Sequence, residues 1–220
     1  DLNVSYLPNS GAEANEGAIK LAYKYHNGKR KYILHSNISF HGKLLATGSI
    51  SSSPEVKFKF PGLTNTDQFI WNDINDLKNK IEQYKAKDGS SDIYAIIIEP
   101  FSASSLLECS EDFLRELRKL CSNNKIILIF DEIYTGWGKT GEFFYFMQYD
   151  NLVPDILTMS KSFGGGKSSI SCFTTTKKIF EKAYGVLTDS TIHSTTYNAF
   201  GEESVTALEA INIAVEEDYP

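Results

Sequence analysis

"TMSKSFGGGKSS", residues 158–169, decides between two folds, because it holds two lysines around three glycines. Lys167, inside "GGGKSS", matches the tail of a phosphate-binding P-loop, which would make the chain a nucleotide-binding domain. Lys161, at the end of the apolar run "DILTMS", has the position of a lysine that holds an aldehyde cofactor as a Schiff base. A P-loop reads G-x-x-x-x-G-K-[ST], since its first glycine opens a nest of backbone amides around the phosphates. Counting back from Gly166 puts that glycine at position 161, which is Lys. The motif fails there, and Lys167 reads as a solvated loop charge.

The runs on either side of this stretch set the fold class. Short apolar segments alternate with amphipathic ones, the pattern of an α/β protein whose mostly parallel sheet carries helices on both faces. The predicted strands are "KYILHS" (31–36), "IYAIIIEP" (93–100), "KIILIFDE" (125–132), "DILTMS" (155–160) and "SISCFTT" (169–175). Three of them end in polar residues, Glu99, Asp131 and Ser160 with Lys161, at the carboxyl edge where ligands bind in such sheets. Helical spacing of Ala14, Ala18, Leu21, Ala22 and Tyr25, and of Phe113, Leu117 and Leu120, predicts two helices, and a third is expected over 202–216. Pro54, Pro61 and Gly62 make 50–67 the expected long loop.

Composition removes several function classes. At 220 residues, 41% hydrophobic and 23% charged, the chain can bury a substantial core. A net charge of −6 and no basic stripe argue against nucleic acid or an acidic membrane surface as partner. No apolar run approaches the ~18 residues of a membrane span. Cys109, Cys121 and Cys172 are odd in number and widely spaced, without a metal-ligand pattern; they read as free thiols in a reducing, cytoplasmic compartment. "NVS" and "NIS" match a glycosylation sequon, but nothing else points to secretion. The chain begins "DLNVSYLPNS", without initiator Met or signal peptide, and is read as a domain of a longer protein.

A Schiff-base lysine serving pyridoxal phosphate needs a carboxylate for the pyridine nitrogen, an anion site for the phosphate and a surface for the ring. Asp131, just past "IILIF", is the candidate carboxylate, though it could instead cap the following turn. In "NSGAEANEGAIKLA" (9–22), Ser10, Gly11 and Ala12 precede an amphipathic helix whose free amides attract an anion; Ser10 could equally be an N-cap. Phe40 could stack on a ring, and His41 beside it joins the candidate set as a hydrogen-bonding residue.

In their order, "NSGAEANEGAIKLA", "SFHGK", "IIIEP", "FDEIYTGWGKTGEFF", "PDILTMSKSFGGG" and "HSTTY" resemble the class III pyridoxal-phosphate aminotransferases of fold type I, over nearly the whole chain. The resemblance implies that Lys161 binds the cofactor and moves the proton, and that Asp131 pairs with the pyridine nitrogen. It implies that Ile133 and Phe40 cover the two ring faces, and that Gly11 and Ala12 hold the phosphate. Glu99 and Tyr134 belong to the implied cofactor wall. Thr196, with Thr195 beside it, would reach the phosphate of a partner subunit, so a homodimer is implied. The implied substrates are an amine or amino acid and an oxo acid or aldehyde. The small domain of the family is built from both chain ends, so the 220 residues correspond to most of the large domain alone.

Departures from the family pattern bear on substrate. "EPFSASSL" puts Ser104 where ornithine-type enzymes carry an acidic switch residue, Tyr134 replaces a common Gln, and Lys139 a common Arg. Lys43 follows "FHG" where acetylornithine-type enzymes have a carboxylate-binding Arg, supplying charge without a bidentate fork. Arg30, Arg115 and Arg118 are the only arginines, and none is expected at the cofactor. Transamination is the leading reading. An aminomutase, decarboxylase or racemase on the same scaffold, a P-loop domain and a cofactor-binding module without catalysis are the alternatives.

Overall fold

The computed structural model describes residues 1–53, 58, 60–189 and 191–220. Its centre is a seven-stranded sheet in the order β1-β9-β8-β7-β4-β2-β3, with β1 Val4–Tyr6, β2 Tyr32–Ser36, β3 Thr66–Phe69, β4 Ile93–Ile98, β7 Ile127–Asp131, β8 Ile156–Met159 and β9 Cys172–Thr175. Neighbours from β3 to β8 pair in parallel, whereas β9 runs antiparallel to both β8 and β1. A two-stranded hairpin, β5 Phe101–Ser102 with β6 Leu107–Glu108, follows β4.

Strand alternation divides the core into two layers. Ile33, Ala95, Ile97, Ile127, Ile129 and Ile156 face one side and pack with α1 (Gly11–Tyr25) and α5 (Lys177–Tyr184). Leu34, Ile96, Ile98, Leu128, Phe130 and Leu157, one position on, face the other side and pack with α3 (Ile74–Gln83) and α4 (Glu111–Asn124). Successive side chains point to opposite faces, so strands buried on both sides must be apolar throughout, as the "IYAIII" of β4 is. Burying a side chain of this size contributes roughly 1.5–3 kcal/mol. The remaining helices are short α2 (Leu45–Ser49) and α6 (Gly201–Glu216), and α6 packs on the turn 161–164.

The five predicted strands are all present, each trimmed by one to three residues at its ends. On α4 the apolar face uses Leu114 and Cys121, while Leu120 is only half-buried. The expected long loop 50–67 is interrupted at its end by β3, which starts at Thr66; Pro54 lies outside the described residues. Strand β3, "TDQF", is too polar to announce itself and is specified by pairing with β2. The three thiols are free and buried, and burial pushes those of Cys121 and Cys172 up to about 12.

The glycines of "GGGKSS" form a turn rather than a phosphate loop. Gly165 and Gly166 have φ of 60° and 71°, the left-handed conformation a turn needs after the single helical turn 161–164. Lys167 is exposed, and the chain runs on into antiparallel β9 rather than into a helix. A P-loop requires strand, loop and helix in that order, so the nucleotide-binding alternative is excluded.

Candidate active site

Parallel strands deliver their carboxyl ends to one edge, and four of those ends meet the N-terminus of α1 there. The loop after β2 brings Phe40 and His41, β4 leads into Glu99, β7 ends in Asp131, and β8 leads into Lys161. With Gly11, Ala12, Ile133 and Tyr134, these residues line a cavity of about 320 Å³. Lys43 and Ala103 complete its rim.

Asp131 is buried and its carboxylate is fully oriented. Oδ2 accepts from Nδ1 of His41 at 2.7 Å and from Nδ2 of Asn15 at 2.8 Å, and Oδ1 accepts the amide of Ile133 at 3.1 Å. A carboxylate is acceptor-only, so His41 carries its proton on Nδ1. Oδ1 thus caps the turn that follows β7, as the alternative expectation for Asp131 had it, while Oδ2 is fixed by a side-chain network built from α1 and the loop after β2.

The N-terminus of α1 presents backbone to the cavity. Ser10 is the N-cap of α1: its hydroxyl accepts the amide of Glu13 at 3.3 Å and donates to Glu13 Oε2 at 2.8 Å. Of the two expectations for Ser10, the cap is the one its hydroxyl makes, and Ser10 is not among the residues lining the cavity. The amides of Gly11 and Ala12 sit in the first turn, where no helical carbonyl reaches them. A Cβ on Gly11 would stand 2.8 Å from Cδ1 of Ile133, so only glycine lets the wall residue and the start of α1 approach this closely. Gly42, at φ 131°, is pressed in the same way against Ala12: a Cβ on it would lie 2.7 Å from that of Ala12.

Glu99 hangs the site together from below. Its Oε1 accepts the amide of Phe40 at 2.9 Å and its Oε2 that of Ala103 at 3.3 Å. Burial first, and the nearby Asp131 charge, push its carboxyl up to about 7 against the opposing pull of His41 and the two amides. Next to Asp131, Glu132 turns the other way: it accepts from Tyr145 and Phe146 amides at 2.5 and 3.0 Å and from Thr135 at 3.0 Å, anchoring the 143–146 segment.

Lys161 is exposed at the cavity mouth with φ 47°, a left-handed conformation uncommon for a residue with a side chain. Its Nζ stands 5.5 Å from the centre of the Tyr134 ring. Burial and the charge of Lys161 together lower the pKa of Lys139. Lys43 and Lys161 line this edge, and Lys139 is near enough to feel the charge of Lys161.

Two predicted residues lie elsewhere. Thr196 is exposed and Thr195 half-buried on the segment before α6, and neither lines the cavity. The hydroxyl of Thr195 is buried and has no hydrogen-bond partner. The arginines are committed to structure: Arg30 donates to carbonyls of Ile93, Asn124 and Lys125, Arg115 to Glu111 and Asp150, and Arg118 to Val153 and Asp155. Asn15, by contrast, was not singled out by sequence reasoning, although it lies inside the quoted "NSGAEANEGAIKLA". A polar residue on the buried face of a helix was the available signal. No cluster of metal-ligating residues occurs among the described residues.

Comparison with known proteins agrees with this geometry. The family model described as "Aminotransferase class-III" matches residues 3–219. A succinylornithine transaminase/acetylornithine aminotransferase of Pseudomonas aeruginosa is 37% identical over 217 residues, covering 94% of this chain and 49% of that protein. An acetylornithine/succinyldiaminopimelate aminotransferase of Buchnera aphidicola is 36% identical, covering 87% of this chain and 45% of that protein. A transaminase structure from the marine bacterium Virgibacillus superposes with a TM-score of 0.87 at 26% identity, over 99% of this chain and 51% of that one. The chain spans about half the length of the relatives it matches. It belongs to the class III aminotransferase family.

Proposed function

We propose that this chain is most of the large, cofactor-binding domain of a pyridoxal-phosphate-dependent transaminase, incomplete at both ends relative to the family. The observation that carries the reading is the convergence of Lys161, Asp131 and the open amides of Gly11 and Ala12 on one cavity. The donor set fits the group: a primary amine for its aldehyde, an oriented carboxylate for its ring nitrogen, and a helix N-terminus for its phosphate. The close approach at Gly11 and Gly42 leaves backbone rather than side chain as the anion surface.

When bound, pyridoxal phosphate supplies an electron sink for breaking the bond to a substrate α-hydrogen. Asp131 keeps a charge opposite the ring nitrogen and so favours its protonated form. Ile133 and Phe40, which both line the cavity, would offer apolar surfaces to the ring. Lys161 would hold the aldehyde of the cofactor through its amine and, as a free amine, would serve as the base that moves the substrate α-proton. Its exposed position gives it reach over the cavity mouth. Tyr134 borders that path, and Lys43 and Lys139 supply positive charge for an anionic substrate without a bidentate grip.

The proposed substrates are an amine or amino acid donor and an oxo-acid or aldehyde acceptor. The proposed assembly is a homodimer in which Thr196, with Thr195, reaches the partner's phosphate; their position outside their own cavity supports this reading. Three unpaired cysteines support the cytoplasm as compartment. Among the described residues no helix is long and apolar enough to cross a membrane. The test is a visible spectrum of the protein with pyridoxal phosphate, followed by a donor and acceptor screen. Amino-group transfer supports the reading. Carbon dioxide release, racemisation or intramolecular amino migration without transfer would assign the scaffold to another chemistry.

A further inference from the structure

Asn15 is fully buried on α1, and its side chain meets three other parts of the site. Its Nδ2 donates to Oδ2 of Asp131 at 2.8 Å and to the carbonyl of His41 at 2.9 Å, and its Oδ1 accepts from Thr158 Oγ1 at 2.8 Å. Thr158 is on β8, three residues before Lys161, and is itself fully buried. The orientation of the amide is set by chemistry. Asp131 Oδ2 and the His41 carbonyl can only accept, so both must face the NH₂ end. One side chain thereby joins the phosphate helix, the strand bearing Asp131, the strand leading to Lys161 and the loop bearing Phe40.

We infer that Asn15 is a positioning residue that decides which oxygen of Asp131 serves the cofactor, an inference that rests on the proposed pyridoxal-phosphate reading. Oδ2 has both lone pairs engaged, one by Asn15 and one by Nδ1 of His41 at 2.7 Å. Oδ1 accepts only the Ile133 amide, so it keeps a lone pair for the ring nitrogen. The two donors on Oδ2 also fix the plane of the carboxylate, so that Oδ1 is the oxygen held toward the cavity. Without Asn15, Oδ2, the His41 carbonyl and Thr158 Oγ1 lose a partner inside a dry core, and the carboxylate can turn about its χ2.

The test uses two variants and two readouts. Asn15→Ala removes the bridge; Thr158→Val is nearly isosteric and removes only the donor that holds the amide. In cofactor-free protein, the His41 Nδ1–H proton resonance reports the bond to Asp131, and it is expected to move in Asn15→Ala and to a smaller extent in Thr158→Val. With ¹⁵N-labelled pyridoxal phosphate bound, the pyridine resonance is expected to move toward its unprotonated position in the same order, with the cofactor Kd raised about tenfold in Asn15→Ala. A lowered Tm with both resonances unmoved would reduce Asn15 to a packing role and overturn the inference. A His41 shift in a protein that binds no pyridoxal phosphate would uphold the bridge to Asp131 but overturn the cofactor role assigned to it, along with the cofactor reading.

Discussion

Glu99 holds Phe40 by its backbone: the amide of Phe40 donates to Oε1 at 2.9 Å, so the loop after β2 is suspended from the end of β4. The second oxygen takes Ala103, which ties the opposite rim of the cavity to the same carboxyl. Width of the cavity is therefore set by a residue at its floor. Glu99→Ala removes both ties and is expected to raise the Kd for pyridoxal phosphate about tenfold, the loss expected from one to two hydrogen bonds. Glu99→Gln keeps one acceptor and should fall between the two. A fluorescence titration giving equal Kd values for all three proteins would show that the walls stand without it.

Glu132 makes a pH prediction whose sign follows from its burial. Its carboxyl is pushed from 4.5 up to about 7, chiefly by burial, against the pull of three hydrogen-bond donors. A carboxyl with a raised folded-state pKa favours folding while protonated, and that contribution is lost as pH rises from about 4.5 to 7. The stability of the wild type minus that of Glu132→Gln should fall over this range by up to about 3 kcal/mol. Urea unfolding at a series of pH values measures it, and a difference independent of pH would contradict the assignment.

Asp131→Asn changes the character of one oxygen. If the amide oxygen stays with His41 and Asn15, an NH₂ group takes the place of Oδ1 and opposes the Ile133 amide and the ring nitrogen. The cofactor should still bind through its phosphate and Lys161, while proton abstraction in a single turnover slows by at least a hundredfold. Single-turnover rates near the wild type would remove Asp131 from the mechanism.

Much of this site was legible because catalytic edges concentrate polar residues at the ends of apolar runs. Glu99, Asp131 and Lys161 each follow a strand whose hydrophobicity announces it, and the sheet then brings them together. Side-chain duties were less legible. Ser10 and Gly11 are neighbours in different settings, one an N-cap and one in the cavity wall, and only the path of the backbone separates them. Asn15 has the spacing of a core position on α1, and nothing in a linear sequence says that its partners are on β7 and β8. Strands β1 and β3 escaped because three or four mixed residues carry no period; their neighbours in the sheet specify them.

Thr196 tests the shared-site arrangement. A hydroxyl donating to a phosphate dianion is worth roughly 1.5–3 kcal/mol, so Thr196→Ala should weaken cofactor binding about tenfold or more. If the hydroxyl acts on the partner, a heterodimer of one Thr196→Ala subunit and one Lys161→Ala subunit carries both lesions in one site and leaves the other complete. Activity at limiting pyridoxal phosphate should then recover to about half of wild type per heterodimer. Absence of recovery, with heterodimers verified by native mass spectrometry, would place Thr196 in its own site or in none.

The most direct measurement is borohydride reduction of the protein with pyridoxal phosphate, followed by peptide mapping. A single pyridoxyl group is expected on the Nζ of Lys161, in the peptide containing "ILTMSKSF", and is expected to disappear in Lys161→Ala. A pyridoxyl group on Lys167, or on neither lysine, would contradict the assignment of Lys161.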